Sequence, residues 1–217
     1  MAIEDYFDKG YHIDRYHALE EDLIKFFEFM PLDFYTTVEE RKRIRSTYLA
    51  DLLLRIGSNI DIFFKKFIMS DGRCPVLSEQ KEEGNLTWKD YKKLEEILKL
   101  SQANVKIIRT SETIYPFKNY SGKVWTEISQ SDDNDFWWKS YNNVKHHGKI
   151  EEANLENVID SLAALLLLIC IKKHSVKLIY YDYLPIPSNL KEKLLSGRMK
   201  ESKNIIITKL FISSIKT

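Results

Sequence analysis

At 217 residues, with 33 Lys and Arg against 32 Asp and Glu, the chain carries a net charge of +1, which gives no global pull toward nucleic acid or anionic lipid. Its 44% hydrophobic and 30% charged residues exclude a disordered tail, and its length favours a single core. With Cys74 in a Gly/Pro loop and Cys170 in an apolar run, neither a disulfide framework nor a cysteine-based zinc site is expected.

The opening MAIEDYFDKG is acidic and lacks the basic and apolar regions of a signal peptide, so a cytoplasmic location is expected. Apolar residues at 16, 19, 23, 26, 27 and 30 predict a first helix that Pro31 stops. Thr37 followed by Glu40 is a capping-box signature. It opens a long second helix to about Met69, with Leu49, Leu52, Leu53, Ile56, Ile60, Phe63, Phe64 and Phe67 on one face. Arg41, Lys42, Arg43 and Arg45 near its start oppose the helix dipole and read as a solvated basic face rather than an RNA contact.

Gly72, Pro75 and Gly84 mark a loop, after which Thr87 and Asp90 cap a shorter helix through Tyr91, Leu94, Ile97 and Leu98 to about Ser101. Between Val105 and Ile128, β-branched and aromatic residues with Pro116 and Gly122 predict a small hairpin insertion, spanning 103–130. Ser131, Asp132 and Asp133 form an acidic entry to a helix through FWWKSYNNVKHH, which Gly148 ends in a left-handed cap. Leu155, Val158, Ile159, Leu162, Leu165, Leu166 and Ile169 then make the widest apolar stripe, the expected central helix. The run Leu162–Ile171 is about half of the roughly 20 residues a bilayer requires, so a core helix explains it better than a membrane span. Val176–Tyr183 and Ile205–Ile212 are β-prone, split by Pro185 and Pro187, and suit an edge hairpin or a dimer contact. The expected architecture is mainly α: a helical bundle over 1–175 carrying the hairpin insertion, with a β-prone C-terminal extension, 176–217, packed on it.

The residues with the most chemistry lie on the helix before Gly148. Asn142 and His146 are four apart and project from one face, and Tyr141 and Lys145 form the adjacent pair. An amide, an imidazole that titrates near neutrality, a phenol and a cation beside Trp137 and Trp138 suit phosphate and base contacts. Polar residues on a bundle helix more often cap, pair or face water, and aromatics at this spacing are more often core. His146 beside His147 does not make a metal site, because adjacent helical residues point about 100° apart and no HExxH accompanies them. No Walker loop, dinucleotide fingerprint or nucleophile elbow is present, so neither a metal nor a cofactor is expected.

A helix with W-x-x-Y-N-x-x-K-H, then A-N-L-x-N-V and a Leu-rich helix, resembles the HEPN proteins, nucleotide-binding helical bundles of higher eukaryotes and prokaryotes. The similarity is clearest over Phe136–His174 and weaker over Arg43–Phe67, which resembles the long partner helix of such a bundle. HEPN ribonucleases carry an Arg, often followed by Asn, and a His four to six residues beyond. Asn142 and His146 match the last two, and Tyr141 stands where the Arg would be. The resemblance implies metal-independent attack of an RNA 2′-hydroxyl on the adjacent phosphate at the interface of a homodimer, with His146 moving a proton. It also implies a defence or toxin–antitoxin role, with RNA and an antitoxin or other protein as partners; no membrane partner is expected, from the short apolar run above. His146, Asn142 and Tyr141 are then the candidate catalytic set, and Lys145, Lys139, Trp138 and Lys149 the candidate RNA contacts. Tyrosine cannot offer a charged, bidentate fork, and losing one such electrostatic donor typically costs ~100- to 1000-fold in rate. Lys139 and Lys145 are point charges and do not replace the Arg faithfully. The rival expectation is a catalytically inactive HEPN-like scaffold or dimerisation module, with Asn142 and Asn154 bonding backbone across the turn.

Overall fold

The computed structural model describes residues 11–70, 82–91, 93–107, 110, 112–118, 136–171, 204–207 and 211–215. The fold is mainly α with one small antiparallel sheet. Helix α1 (Tyr11–Phe29) follows the predicted stripe, burying Ile13, Tyr16, Leu19, Leu23 and Phe27 before Pro31. Helix α2 (Val38–Arg43) opens with the expected capping box: Thr37 N–H donates to Glu40 Oε2 at 3.0 Å, and Glu40 N–H to Thr37 Oγ1 at 3.3 Å.

The predicted single long helix is instead two. Ile44 turns extended at φ −82°, ψ 114°, and its carbonyl accepts from Leu155 N–H at 3.0 Å. Arg45 makes a β-bridge with Asn154, and Ser46 Oγ accepts from Leu49 N–H at 3.1 Å, so a new helix, α3 (Thr47–Ser70), is capped afresh. The break exists because a distant strand-like segment takes the backbone groups that a continuous helix would have used.

The shorter predicted helix is also divided, into α4 (Trp88–Tyr91) and α5 (Leu94–Leu98), with Lys99 left-handed at φ 49°. Asp90 Oδ2 accepts from the Thr87 amide and hydroxyl, both at 2.9 Å, as the cap spacing predicts. Helix α6 (Trp137–His147) ends at Gly148, whose φ of 64° is the left-handed conformation predicted for it. Phe136 occupies the N-cap position without a side-chain bond, and the expected acidic entry at 131–133 lies outside the described residues.

Helix α7 (Leu155–Ile171) begins where Asn154 Oδ1 accepts from Asn157 N–H at 2.9 Å. From Leu162 to Cys170 every side chain is buried, so α7 is enclosed on all sides rather than on a stripe. It packs on α3, α1, α2 and α6. Each large apolar side chain buried there contributes about 1.5–3 kcal/mol relative to exposure. Among the described residues no helix is long and apolar enough to cross a membrane.

Strands β1 (Val105–Ile107) and β2 (Thr113–Ile114) pair antiparallel, giving the expected hairpin. The other edge of β1 takes β4 (Phe211–Ile215), which pairs with β3 (Asn204–Ile207), so the sheet order is β2-β1-β4-β3. The β-prone stretch 205–212 thus contributes to two strands rather than one, and the other predicted stretch, 176–183, lies outside the described residues. Trp137 Nε1 donates to Pro116 O at 2.8 Å, and Phe117 packs edge-on to Trp137, fixing the residues after β2 against the start of α6.

Candidate functional site

Helix α6 has two faces. Trp137, Trp138, Ser140, Tyr141 and Val144 are buried, whereas Lys145, His146, His147 and Lys149 are exposed at its C-terminal end. Cations at that end complement the negative pole of the helix dipole. Asn157 Nδ2 reaches Ser140 Oγ at 2.8 Å, and Asn143 Nδ2 reaches Glu152 Oε2 at 2.7 Å, so α6 and the start of α7 are held in fixed relation.

Tyr141 is 1% exposed. Its ring lies on Gly57 of α3 so closely that a methyl group on Gly57 would overlap it. Its hydroxyl oxygen accepts from Lys145 Nζ at 3.0 Å and lies 3.4 Å from Ser58 Oγ. Lys145 is held protonated above the ordinary lysine range, chiefly by that hydrogen bond to Tyr141. Tyr141 is therefore a wedge between helices whose hydroxyl, among the described residues, meets Ser58 and Lys145.

Asn142 Nδ2 donates to the Trp138 carbonyl of its own helix at 3.0 Å, and Asn154 caps α7, so both amides serve backbone. His146 is exposed. Trp138, one of the candidate RNA contacts, is 6% exposed and packed against Tyr91, Trp137 and Tyr141, so its face is taken by core rather than presented to a base. Lys139 is half-buried, and Lys149 is exposed with its Nζ 3.8 Å from Glu152. The structure thus brings Tyr141 and Lys145 together, leaves His146 outward, and assigns Trp138 to the core.

Beside this seam lies a second polar row that the sequence reading missed. Tyr91 donates to Asp61 Oδ1 at 2.6 Å, and Lys65 Nζ to Asp61 Oδ2 at 2.8 Å. Burial, and then Asp61, hold the Tyr91 phenol far above its ordinary range. A helical spacing signal existed for Asp61 and Lys65, which are four apart, but none for Tyr91.

Also missed was the role of Arg41, which is fully buried rather than part of a solvated basic face. Its Nε meets Glu156 Oε2 at 2.5 Å and its Nη2 meets Glu112 Oε1 at 2.8 Å, while Nη1 donates to the carbonyls of Tyr35 and Thr36. Arg43 and Arg45 are exposed, as expected. The buried pair partners are too distant in sequence for any local pattern to reveal them.

No family model matches the chain, and neither a curated protein nor a solved structure does.

Proposed function

We propose that this protein is a HEPN-like helical bundle that associates with RNA through the exposed end of α6, pairing with a second copy or a protein partner there. The observation that carries the reading is the placement of His146 and Lys145, both exposed at one helix end, with Lys145 kept positive by its bond to Tyr141. An exposed imidazole can move a proton at an RNA 2′-hydroxyl, and an ammonium can meet a phosphate oxygen. Cleavage by the isolated chain should be weak, because Tyr141 has no guanidinium fork and is packed into the α3–α6 seam, leaving the Arg's role of balancing transition-state charge unfilled.

The rival reading is an inactive scaffold, and one observation favours it: Asn142 and Asn154 both spend their amides on helix backbone. The test is to incubate the purified chain with labelled total RNA in EDTA, beside His146→Ala and Lys145→Ala, scoring both retention of RNA and 2′,3′-cyclic phosphate ends. We expect retention that both variants weaken, with cyclic ends scarce and lost in His146→Ala. RNA that is neither retained nor cut by the wild-type chain would leave the scaffold reading.

A further inference from the structure

Apart from the α6 site, a buried ionic cluster joins three parts of the fold. The Arg41 guanidinium of α2 is divided among them: Nη2 meets Glu112 Oε1 of the hairpin at 2.8 Å, Nε meets Glu156 of α7, and Nη1 donates to the carbonyls of Tyr35 and Thr36 at 3.4 and 3.3 Å. Glu112 immediately precedes β2, and its own carbonyl accepts from Ile107 N–H at 2.9 Å. Its side chain therefore ties the β1–β2 hairpin to α2. A third carboxylate, Asp160, stands one turn beyond Glu156 on α7. The charges acting on it come from α7 itself through Glu156, from α2 through Arg41, from the hairpin through Glu112, and from Lys118 after β2. Strand β4, also packed on α7, carries no charged residue, and on α1, α3 and α6 Glu20, Asp61 and Lys145 engage Tyr16, Tyr91 and Tyr141 instead.

With Asp160 protonated, Glu112 and Glu156 face Arg41 and Lys118, and the charges balance. With Asp160 ionised, three carboxylates face the same two cations, and Lys118 is exposed, so water weakens its share. Unbalanced charge in a buried site is costly, and moving the weakest-held carboxylate into water relieves it. Glu112 is that carboxylate. Its side chain is 28% exposed against 11% for Glu156, and among the described residues no donor meets its buried second oxygen, Oε2. We propose that Arg41, Glu112, Glu156 and Asp160 form a proton-operated latch: with a proton on Asp160 the hairpin is fastened to α2, and when Asp160 ionises Glu112 leaves Arg41 and the hairpin loosens. Glu156 and the two carbonyls keep Arg41 in place, so α2 does not follow. Strands β4 and β3 attach to β1, so the loosening passes to them as well. The latch uses no residue of α6 and needs no ligand, so it stands whether or not the chain binds RNA. Burial, and then Glu156, hold the Asp160 carboxyl well above the ordinary carboxylate range, with Glu112 adding to the rise. Departure of Glu112 removes part of that rise, so the closed hairpin binds the proton more tightly than the open one. Opening releases up to one proton and is favoured as pH rises, by at most about tenfold per pH unit.

The test is amide exchange in the full chain between about pH 6 and about pH 9, expressed as protection relative to an unstructured peptide at the same pH. The Ile107 amide, bonded to the Glu112 carbonyl, should lose about tenfold or more of its protection over that range. Small additions of urea should leave Ile107 exchange unchanged and speed that of Leu166 in the core of α7, because a local opening exposes little surface. Asp160→Asn, neutral at every pH, should keep Ile107 protected throughout. Glu112→Gln, which keeps the shape without the charge, should hold the hairpin less firmly at every pH and lose the pH dependence. Wild-type protection that stays level, a fall that persists in Asp160→Asn, or Ile107 and Leu166 responding alike to urea would each overturn the latch. If Asp160→Asn does not fold, the wild-type chain still decides: its Ile107 protection should stop falling across the pH range in which the Asp160 carboxyl carbon signal titrates, and a fall that runs on past that range overturns the assignment.

Discussion

Tyr141 illustrates how one side chain can serve packing and polar contact at once. Its ring fills the gap left by Gly57, and its hydroxyl ties Lys145 to Ser58 across the α3–α6 seam. Tyr141→Phe keeps the ring and removes the hydroxyl, so it should cost about 0.5–1.5 kcal/mol in urea denaturation. RNA retention should hold or rise, because Lys145 is released toward solvent; a fall would mean that the phenol itself contacts RNA. Gly57→Ala probes the other side of the same contact. Overpacking of this kind should destabilise by about 1–3 kcal/mol, lowering the melting temperature by about 2–4 °C for each. An unshifted melting curve would show that the ring can retreat without loss. The Tyr–Lys spacing was legible in the sequence, since residues four apart on a helix meet. Trp138 was not, because the same aromatic can stack on a base or on Tyr91, and only the position of α4 decides between them.

The helices show where local signals suffice and where they fail. Capping at Thr37, Thr87 and Gly148 depends on neighbours within a turn, and sequence spacing located all three. The interruption at Ile44 depends on Leu155 and Asn154, and Arg41 depends on Glu112 and Glu156, so neither left a local trace. One turn beyond Glu156 on α7, Asp160 joins this cluster. Burial and then the Glu156 carboxylate push its carboxyl up to about 8, with Lys118 and Arg41 pulling it down and Glu112 adding to the rise. The folded chain therefore holds this proton more tightly than the unfolded one, whose carboxyl titrates near 3.8. The stability it contributes is full below that value and is lost as pH rises through about 8. Asp160→Asn, neutral at every pH, should melt above the wild-type chain at alkaline pH and converge with it under acid conditions. Melting profiles of the two that stay parallel from acid to alkaline pH would place the titration on another group.

Across the molecule, the sheet joins the middle of the chain to its C-terminal end. β1 has β2 on one side and β4 on the other, with Val105 opposite Ile114 and Ser213. Ile107 N–H donates to Glu112 O on the β2 side at 2.9 Å, so by antiparallel alternation the Lys106 N–H faces β4. Lys106 has an exposed side chain, which makes it a clean place to remove a backbone donor. Lys106→Pro should free 204–215 to proteolysis and lower the melting temperature, whereas Lys106→Thr should do neither. Equal protease resistance in both variants would mean that the outer strands are held by something other than the ladder. This pairing was only partly legible: β-propensity flagged both ends of the sheet, but nothing in either stretch names its partner. It also sets an order of events during synthesis. At typical translation rates β4 emerges roughly 5–20 s after β1. Once α7 has followed and until β4 does, the growing polypeptide carries an unsatisfied strand edge beside a helical core that can already close, and a nascent-chain chaperone would find its opening there.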